Sequence, residues 1–258
     1  MTYGFWNNKG GTGKTSLCFQ ALTTYAHHHP KEKVLAVDVC PQANLSELLL
    51  GGLVGEGSDN LLEVQENSIR TTIGGYFQKR LTSPYSMPGF RSEDYILGVS
   101  SYNSNVAGNV DLLCGDPMVE LQSNSITTLA NTQIPGTNTW LNVIEWLSDF
   151  MANLENAYDV VFIDANPSFS VYTQIALSAC ERLVLPVMAD DSSRRALQNA
   201  FSLVYGLKLP SEIYTQHAFA TRIKDGGRKL PKVHNVVKKP ANPVHGASIC
   251  LFSCPNLD

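Results

Sequence analysis

Two kinds of apolar pattern alternate along this chain. Short continuous runs occur at 34–38 (VLAVD), 158–164 (YDVVFID) and 182–189 (RLVLPVMA). Such runs lack the in–out alternation of a half-solvated strand and fit strands buried on both faces of a parallel sheet. Residues 2–6 and 110–115 (VDLLCG) read as two further strands. Between the runs, apolar residues recur every three to four positions, the period of a helix with one buried face. Leu17, Cys18, Ala21, Leu22, Tyr25 and Ala26 mark such a helix over 14–28, stopped by Pro30. Trp140, Val143, Ile144, Leu147, Phe150, Met151 and Leu154 mark another over 140–155, and residues 61–81 also look helical. Residues 45–50 suit a helical turn, and Ser192 or Ser193 is placed to cap a helix after the last strand. The stretch 51–60 (GGLVGEGSDN) reads as a flexible connector, and 83–109, rich in Ser, Asn, Gly and Pro, as surface loop.

Strands alternating with helices predict an α/β fold with a doubly wound, mostly parallel sheet flanked by helices. No repeat and no linker divides the chain, so 1–258 is expected to be a single domain, atypical only in its tail from about 240.

Composition changes this picture little. Of 258 residues, 43% are hydrophobic and 16% charged, which fits a globular core and excludes a disordered chain. No apolar run reaches membrane-spanning length, and the first residues lack a signal peptide. Six scattered cysteines fit free thiols in a reducing, cytoplasmic setting. The net charge of −4 means that any nucleic-acid contact must come from a local patch.

The chemistry is concentrated in NKGGTGKTS at 8–16. It lies between a predicted strand and a predicted helix, the setting a phosphate-binding loop requires. Gly10, Gly11 and Gly13 let backbone N–H groups wrap phosphates without Cβ clashes, and the helix N-terminus adds its positive end. With Thr12 and Ser16 they form the nucleotide-binding stretch 9–16. Lys14 is placed to reach the β and γ phosphates of ATP, and the Thr15 hydroxyl to hold Mg²⁺. Asp164, at the end of a buried strand, is placed to accept a water bound to that Mg²⁺. The loop is a variant: the first glycine of the general pattern is Asn8, and an additional lysine, Lys9, stands at its front.

KGGTGKT resembles the deviant Walker A loop of the ParA/MinD superfamily. VDVCPQANLSELLL at 37–50 is similar to the second motif of the ParA type, VVFIDANPS at 160–168 to its Walker B segment, and NVDLLCGDPMVEL at 109–121 to its third-strand segment. The resemblance runs over residues 2 to about 205 and implies a cargo-positioning ATPase using ATP and Mg²⁺. It also implies an ATP-sandwich homodimer, in which Lys9 reaches the phosphates bound by the other subunit and adds positive charge to the transition state. Lys9, Lys14 and Asp38 are accordingly the candidate catalytic residues.

Two positions depart from the family. Cys40 replaces the second aspartate of the Asp-x-Asp-Pro-Gln motif, the carboxylate that orients or activates the attacking water. A thiol is a poor acceptor, so hydrolysis is expected to be slow unless another group substitutes. Asp38, two residues away, is the nearest replacement; alternatively Cys40 simply packs and another group does the work. Asn166 stands where the family has a proline and is expected to loosen the segment that senses the γ phosphate.

The resemblance further implies non-specific double-stranded DNA binding, association with the nucleoid, and an adaptor of the ParB kind. Arg222, Lys224, Arg228, Lys229, Lys232, Lys238 and Lys239 cluster late in the chain with only Asp225 opposing them, and Arg194 and Arg195 are candidate additions. Four phosphate contacts would give a salt slope of about −3.6. A MinD-like membrane mode needs an amphipathic C-terminal helix, but the tail is interrupted by Pro240, Pro243 and Pro255, so no stable membrane anchor is expected. His245, Cys250 and Cys254 match no standard metal spacing. Two classes remain: an ATPase cycling between DNA-bound dimer and monomer, or a nucleotide-switched scaffold that scarcely hydrolyses.

Overall fold

The computed structural model describes residues 1–154, 158–188 and 190–239, with the backbone of 250–253 and side chains through Lys238. In chain order the elements are β1 (Thr2–Phe5), α1 (Lys14–His28), β2 (Val34–Asp38), α2 (Asn44–Leu49), α3 (Gly57–Glu66) and α4 (Ile73–Thr82). Then come β3 (Ile96–Gly98), β4 (Val110–Leu113), α5 (Met118–Asn131), α6 (Thr139–Ile144), α7 (Trp146–Ala152), β5 (Val160–Asp164) and α8 (Val171–Ser178). The chain continues through β6 (Arg182–Met188), α9 (Asp191–Tyr205), α10 (Glu212–His217), α11 (Phe219–Asp225), β7 (Lys232–Lys239) and β8 (Cys250–Ser253).

The strands form one sheet in the order β3-β4-β2-β5-β1-β6-β7-β8. The six inner strands are parallel; the edges β3 and β8 are antiparallel. The continuous apolar runs have the predicted cause. Leu35 and Val37 of β2 enter one core with α4 to α9 and α11, while Val34 and Ala36 enter a second core with α1 to α3. β5 divides likewise, with Val161 and Ile163 on one face and Val160 and Phe162 on the other. Each such Val, Leu, Ile or Phe side chain contributes about 1.5–3 kcal/mol by burial. β1 can sit between its neighbours because Gly4 has no side chain: a Cβ there would lie 2.4 Å from Cys180 Sγ.

The structure corrects several predicted boundaries. The helix expected over 61–81 is two helices. Thr72 starts the second by accepting a hydrogen bond from Gly75 N, and its own hydroxyl donates to the buried Asp116. The connector 51–60 turns helical at Gly57, where backbone from Gly52 approaches too closely for any Cβ. The helix expected over 140–155 is interrupted at Glu145. The loop 83–109 contains the edge strand β3. Asp190, and neither serine, caps α9, its carboxylate accepting from Ser193 N. Ser193 Oγ instead accepts from Met188 N. The expectations for Pro240, Pro243, Pro255, His245 and Cys254 lie outside the described residues.

Candidate nucleotide site

The site is built at the carboxyl ends of the parallel strands, where open α/β sheets bind ligands. Asn7, fully buried, fixes the loop after β1: its amide donates to Pro186 O at 2.7 Å, and its side-chain oxygen accepts from Lys9 N at 3.0 Å. Gly11 and Gly13 then take φ of 73° and 81°, a left-handed conformation that favours glycine. A Cβ added at Gly10 or Gly11 would meet nothing within 4 Å, so the space over the loop is open to a ligand. Lys14 opens the 15-residue helix α1 and is buried. Desolvation lowers its pKa, with Asp164 and Cys40 opposing.

Thr15 Oγ1 donates to Asp164 Oδ2 at 2.6 Å. The other oxygen, Asp164 Oδ1, is buried with no hydrogen-bond partner. Burial, then the charge of Asp38, raise the pKa of Asp164 well above the ordinary 3.8. A hydroxyl and an under-satisfied buried carboxylate side by side at a phosphate loop suit a hard divalent cation. The residues present therefore fit Mg²⁺, which would be held by Thr15 and, through water, Asp164.

Asp38 is paired in register with Asp164 across β2 and β5 but has a different task. Its Oδ1 accepts from Cys40 N at 3.0 Å, and its Oδ2 accepts from Ser46 N and Ser46 Oγ, both at 2.9 Å. Ser46 Oγ in turn accepts from Gly115 N at 2.8 Å. Asp38, expected as a candidate catalytic residue, thus holds the loop between β2 and α2 through both oxygens.

Cys40 is 7% exposed, and burial, reinforced by Asp38, pushes its thiol up to about 12. It is neutral at physiological pH and cannot act as a base. Its Sγ lies 3.9 Å from Asn166 Oδ1. Asn166 is pinned, contrary to expectation: Nδ2 donates to Ser168 Oγ at 3.0 Å and to Tyr172 OH at 2.7 Å, and Tyr172 OH donates to Glu120 Oε2 at 2.6 Å.

Lys9 leans onto its own subunit. Its ammonium is 2.9 Å from Asp190 Oδ2 and also donates to Ser192 Oγ. The Ser193 hydrogen bond and then Lys9 hold the Asp190 carboxyl below its usual range. Sequence reasoning missed Asn7 and Tyr172, and it gave no role to Ser46 and Glu120 although both lie in segments it singled out. Asp190 was findable as a capping residue three positions before Ser193.

Of the late basic residues, Lys224, Arg228, Lys229 and Lys232 come together, while Arg222 and Lys238 stand apart from them. Arg222 is half-buried, with its guanidinium 4.3 Å from the Trp140 ring centre, and burial lowers its pKa to about 10. Arg228 is ion-paired with Glu145. Lys224, Arg228, Lys229 and Lys232 line a groove of 980 Å³ shared with Glu145, Asp149 and Glu181, so Asp225 is not their only opponent. Lys232 pairs in register with Arg182, at the amino ends of the strands, whereas Lys238 pairs with Val187 near the opposite, nucleotide end. Among the described residues, no helix is long and apolar enough to cross a membrane, and no cluster of His, Cys, Asp and Glu forms a metal site.

The AAA domain family (AAA_31) matches residues 2–209. The chain belongs to it, as a ParA/MinD-type ATPase. The cell division protein PomZ of Myxococcus xanthus is 27% identical over 218 residues, covering 83% of this chain and 54% of PomZ. The chain thus spans about half the length of that curated relative. Two solved structures share the fold. The ATP complex of a McdA variant from Cyanothece has a TM-score of 0.61 at 17% identity, covering 92% of this chain and 69% of McdA. A putative plasmid partition protein from Borrelia burgdorferi bound to AMPPNP has a TM-score of 0.57 at 17% identity, covering 95% and 77%. The AAA domain match contains residues 9–16, Asp38 and Asp164 and ends before α10, α11 and β7, so Lys224, Arg228, Lys229 and Lys232 lie beyond it, while the acidic wall of their groove lies within it.

Proposed function

We propose that this ParA-type protein binds ATP with Mg²⁺, dimerises around it, hydrolyses it slowly, and positions DNA or protein cargo through an adaptor. The observation that carries the reading is the pair Thr15–Asp164 beside an open glycine loop, with one carboxylate oxygen left without a partner. When bound, Mg²⁺ supplies charge neutralisation at the phosphates. The chain's own part is to bind and orient: the loop N–H groups and Lys14 hold the phosphates.

Lys9 acts in trans in this reading, exchanging Asp190 for phosphates bound by the second copy. Non-specific DNA binding rests on Lys224, Lys229 and Lys232. All three line one groove, whereas Arg222 is stacked on Trp140 outside it. Three phosphate contacts give a salt slope of about −2.7. A nucleotide-switched scaffold with scant turnover is the second reading, favoured by the un-ionised Cys40.

The test measures ATP turnover, mass in solution and DNA affinity against salt, each with and without ATP. Nucleotide-dependent dimers with a salt-sensitive DNA affinity support the reading. Failure to bind ATP sinks it; a flat salt dependence removes the DNA partner.

A further inference from the structure

We propose that Asn166 orients the water that attacks ATP, in the position left open by Cys40, and that Tyr172 positions Asn166. The inference rests on the ATPase reading above and names the group that completes its site. Asn166 follows Asp164 by two residues, in the loop after β5, and faces Cys40. Its two Nδ2 protons are committed, one to Ser168 Oγ and one to Tyr172 OH. That fixes which way the amide points: Oδ1 is turned toward the site, where its contact is a weak thiol donor at 3.9 Å. Tyr172 is itself held, because its hydroxyl donates to Glu120 Oε2. The ring is buried, so the hydroxyl cannot swing away. An amide oxygen fixed by its own N–H groups is a suitable acceptor for one proton of a water molecule, and phosphoryl-transfer enzymes use carboxamides in this way.

The step is simple. The water oxygen bonds to the γ phosphorus as the bond from that phosphorus to the β–γ bridging oxygen breaks. The bridging pair of electrons stays on ADP. The water proton passes to phosphate oxygen and solvent, because neither the amide nor the neutral thiol takes it. Asn166 therefore orients but does not deprotonate, and it adds no titration of its own to the rate.

The test compares turnover and ATP affinity in the full chain. Asn166→Ala is expected to lower kcat about 10²-fold with ATP affinity unchanged. Tyr172→Phe, which deletes one oxygen and keeps the ring, is expected to lower kcat about 5-fold, again without loss of affinity. In the nucleotide-free protein, NMR is expected to show slowly exchanging Asn166 amide protons that exchange faster in Tyr172→Phe. Wild-type turnover in Asn166→Ala overturns the inference. So does a loss of ATP affinity that matches the loss of rate. If wild type binds ATP but never hydrolyses it, the inference falls and the scaffold reading stands. If it does not bind ATP at all, the proposed function falls with it.

Discussion

Asp38 and Asp164 occupy matching positions. Each is the last residue of a buried parallel strand, they are paired in register, and both are almost fully buried. Their surroundings differ in what the following loop offers. After β2 the chain turns back and supplies three donors, from Cys40 and Ser46, so the Asp38 carboxylate is used up inside the protein. After β5 the chain leads away, and Asp164 receives only the Thr15 hydroxyl, with one oxygen unmet. A buried polar atom without a partner costs about 1–3 kcal/mol, and that cost fits a group kept for a ligand. Register placed both carboxylates; loop chemistry decided which is bound up by the protein and which keeps an oxygen unmet.

Replacing each in turn tests that division. Asp164→Asn is expected to lower ATP hydrolysis at least ~10²-fold and to remove a pH penalty. The pKa of Asp164 is raised in the fold, so the folded state holds its proton longer than the unfolded chain. The stability this gives is full below the ordinary 3.8 and lost as pH rises through the folded value. Melting of wild type against Asp164→Asn at pH 5 and pH 8 is expected to favour the variant more at the higher pH. Asp38→Ala is expected to do the opposite, costing about 3 kcal/mol of stability by stranding three donors, or a melting point lower by roughly 6–12 °C. A stable Asp38→Ala protein that has lost hydrolysis would reverse the two roles.

The sequence made the frame legible because its signals were local. Continuous apolar runs located strands β2, β5 and β6, and the glycine spacing located the phosphate loop with Lys14 and Thr15. Contacts between residues far apart in the chain were not legible. Ser46 closing on Asp38 depends on how the loop between them turns, which the segment 37–50 does not spell out. Tyr172 drew no reading from the sequence, yet its hydroxyl bridges Asn166 and Glu120 from separate elements. The basic residues misled for the same reason. They are neighbours in sequence, but β7 carries Lys232 and Lys238 to opposite ends of the strand, and Glu145 between α6 and α7, Asp149 of α7 and Glu181 before β6 share the groove of Lys224, Arg228, Lys229 and Lys232.

Cys40 sharpens the comparison, since it belongs to the Asp38 loop yet faces the Asp164 loop. Cys40→Asp is expected to raise turnover about 10-fold at pH 8, less than the ~10²–10⁴-fold of a well-placed base, because the new carboxylate would stand beside two others. Its gain is expected to shrink at pH 6, where that crowded carboxylate binds a proton. Vigorous hydrolysis by wild type, unchanged in the variant, would mean the neutral thiol limits nothing.

The smallest expected effect concerns Lys9, which these loops leave attached to Asp190. Asn can still cap α9, so Asp190→Asn removes only the charge that holds the lysine. The carboxyl is held below its ordinary 3.8, so the stability it adds is present above 3.8 and lost as pH falls through the folded value. Wild type is therefore expected to melt slightly above Asp190→Asn at pH 7, with the difference vanishing in strong acid. Because the freed Lys9 no longer has to leave a partner, the ATP concentration for half dimerisation is expected to fall a few-fold, as when any competing state is removed. Light scattering across an ATP titration reads this directly. If the variant needs more ATP than wild type, Asp190 aids the dimer, and Lys9 is not being withheld from it.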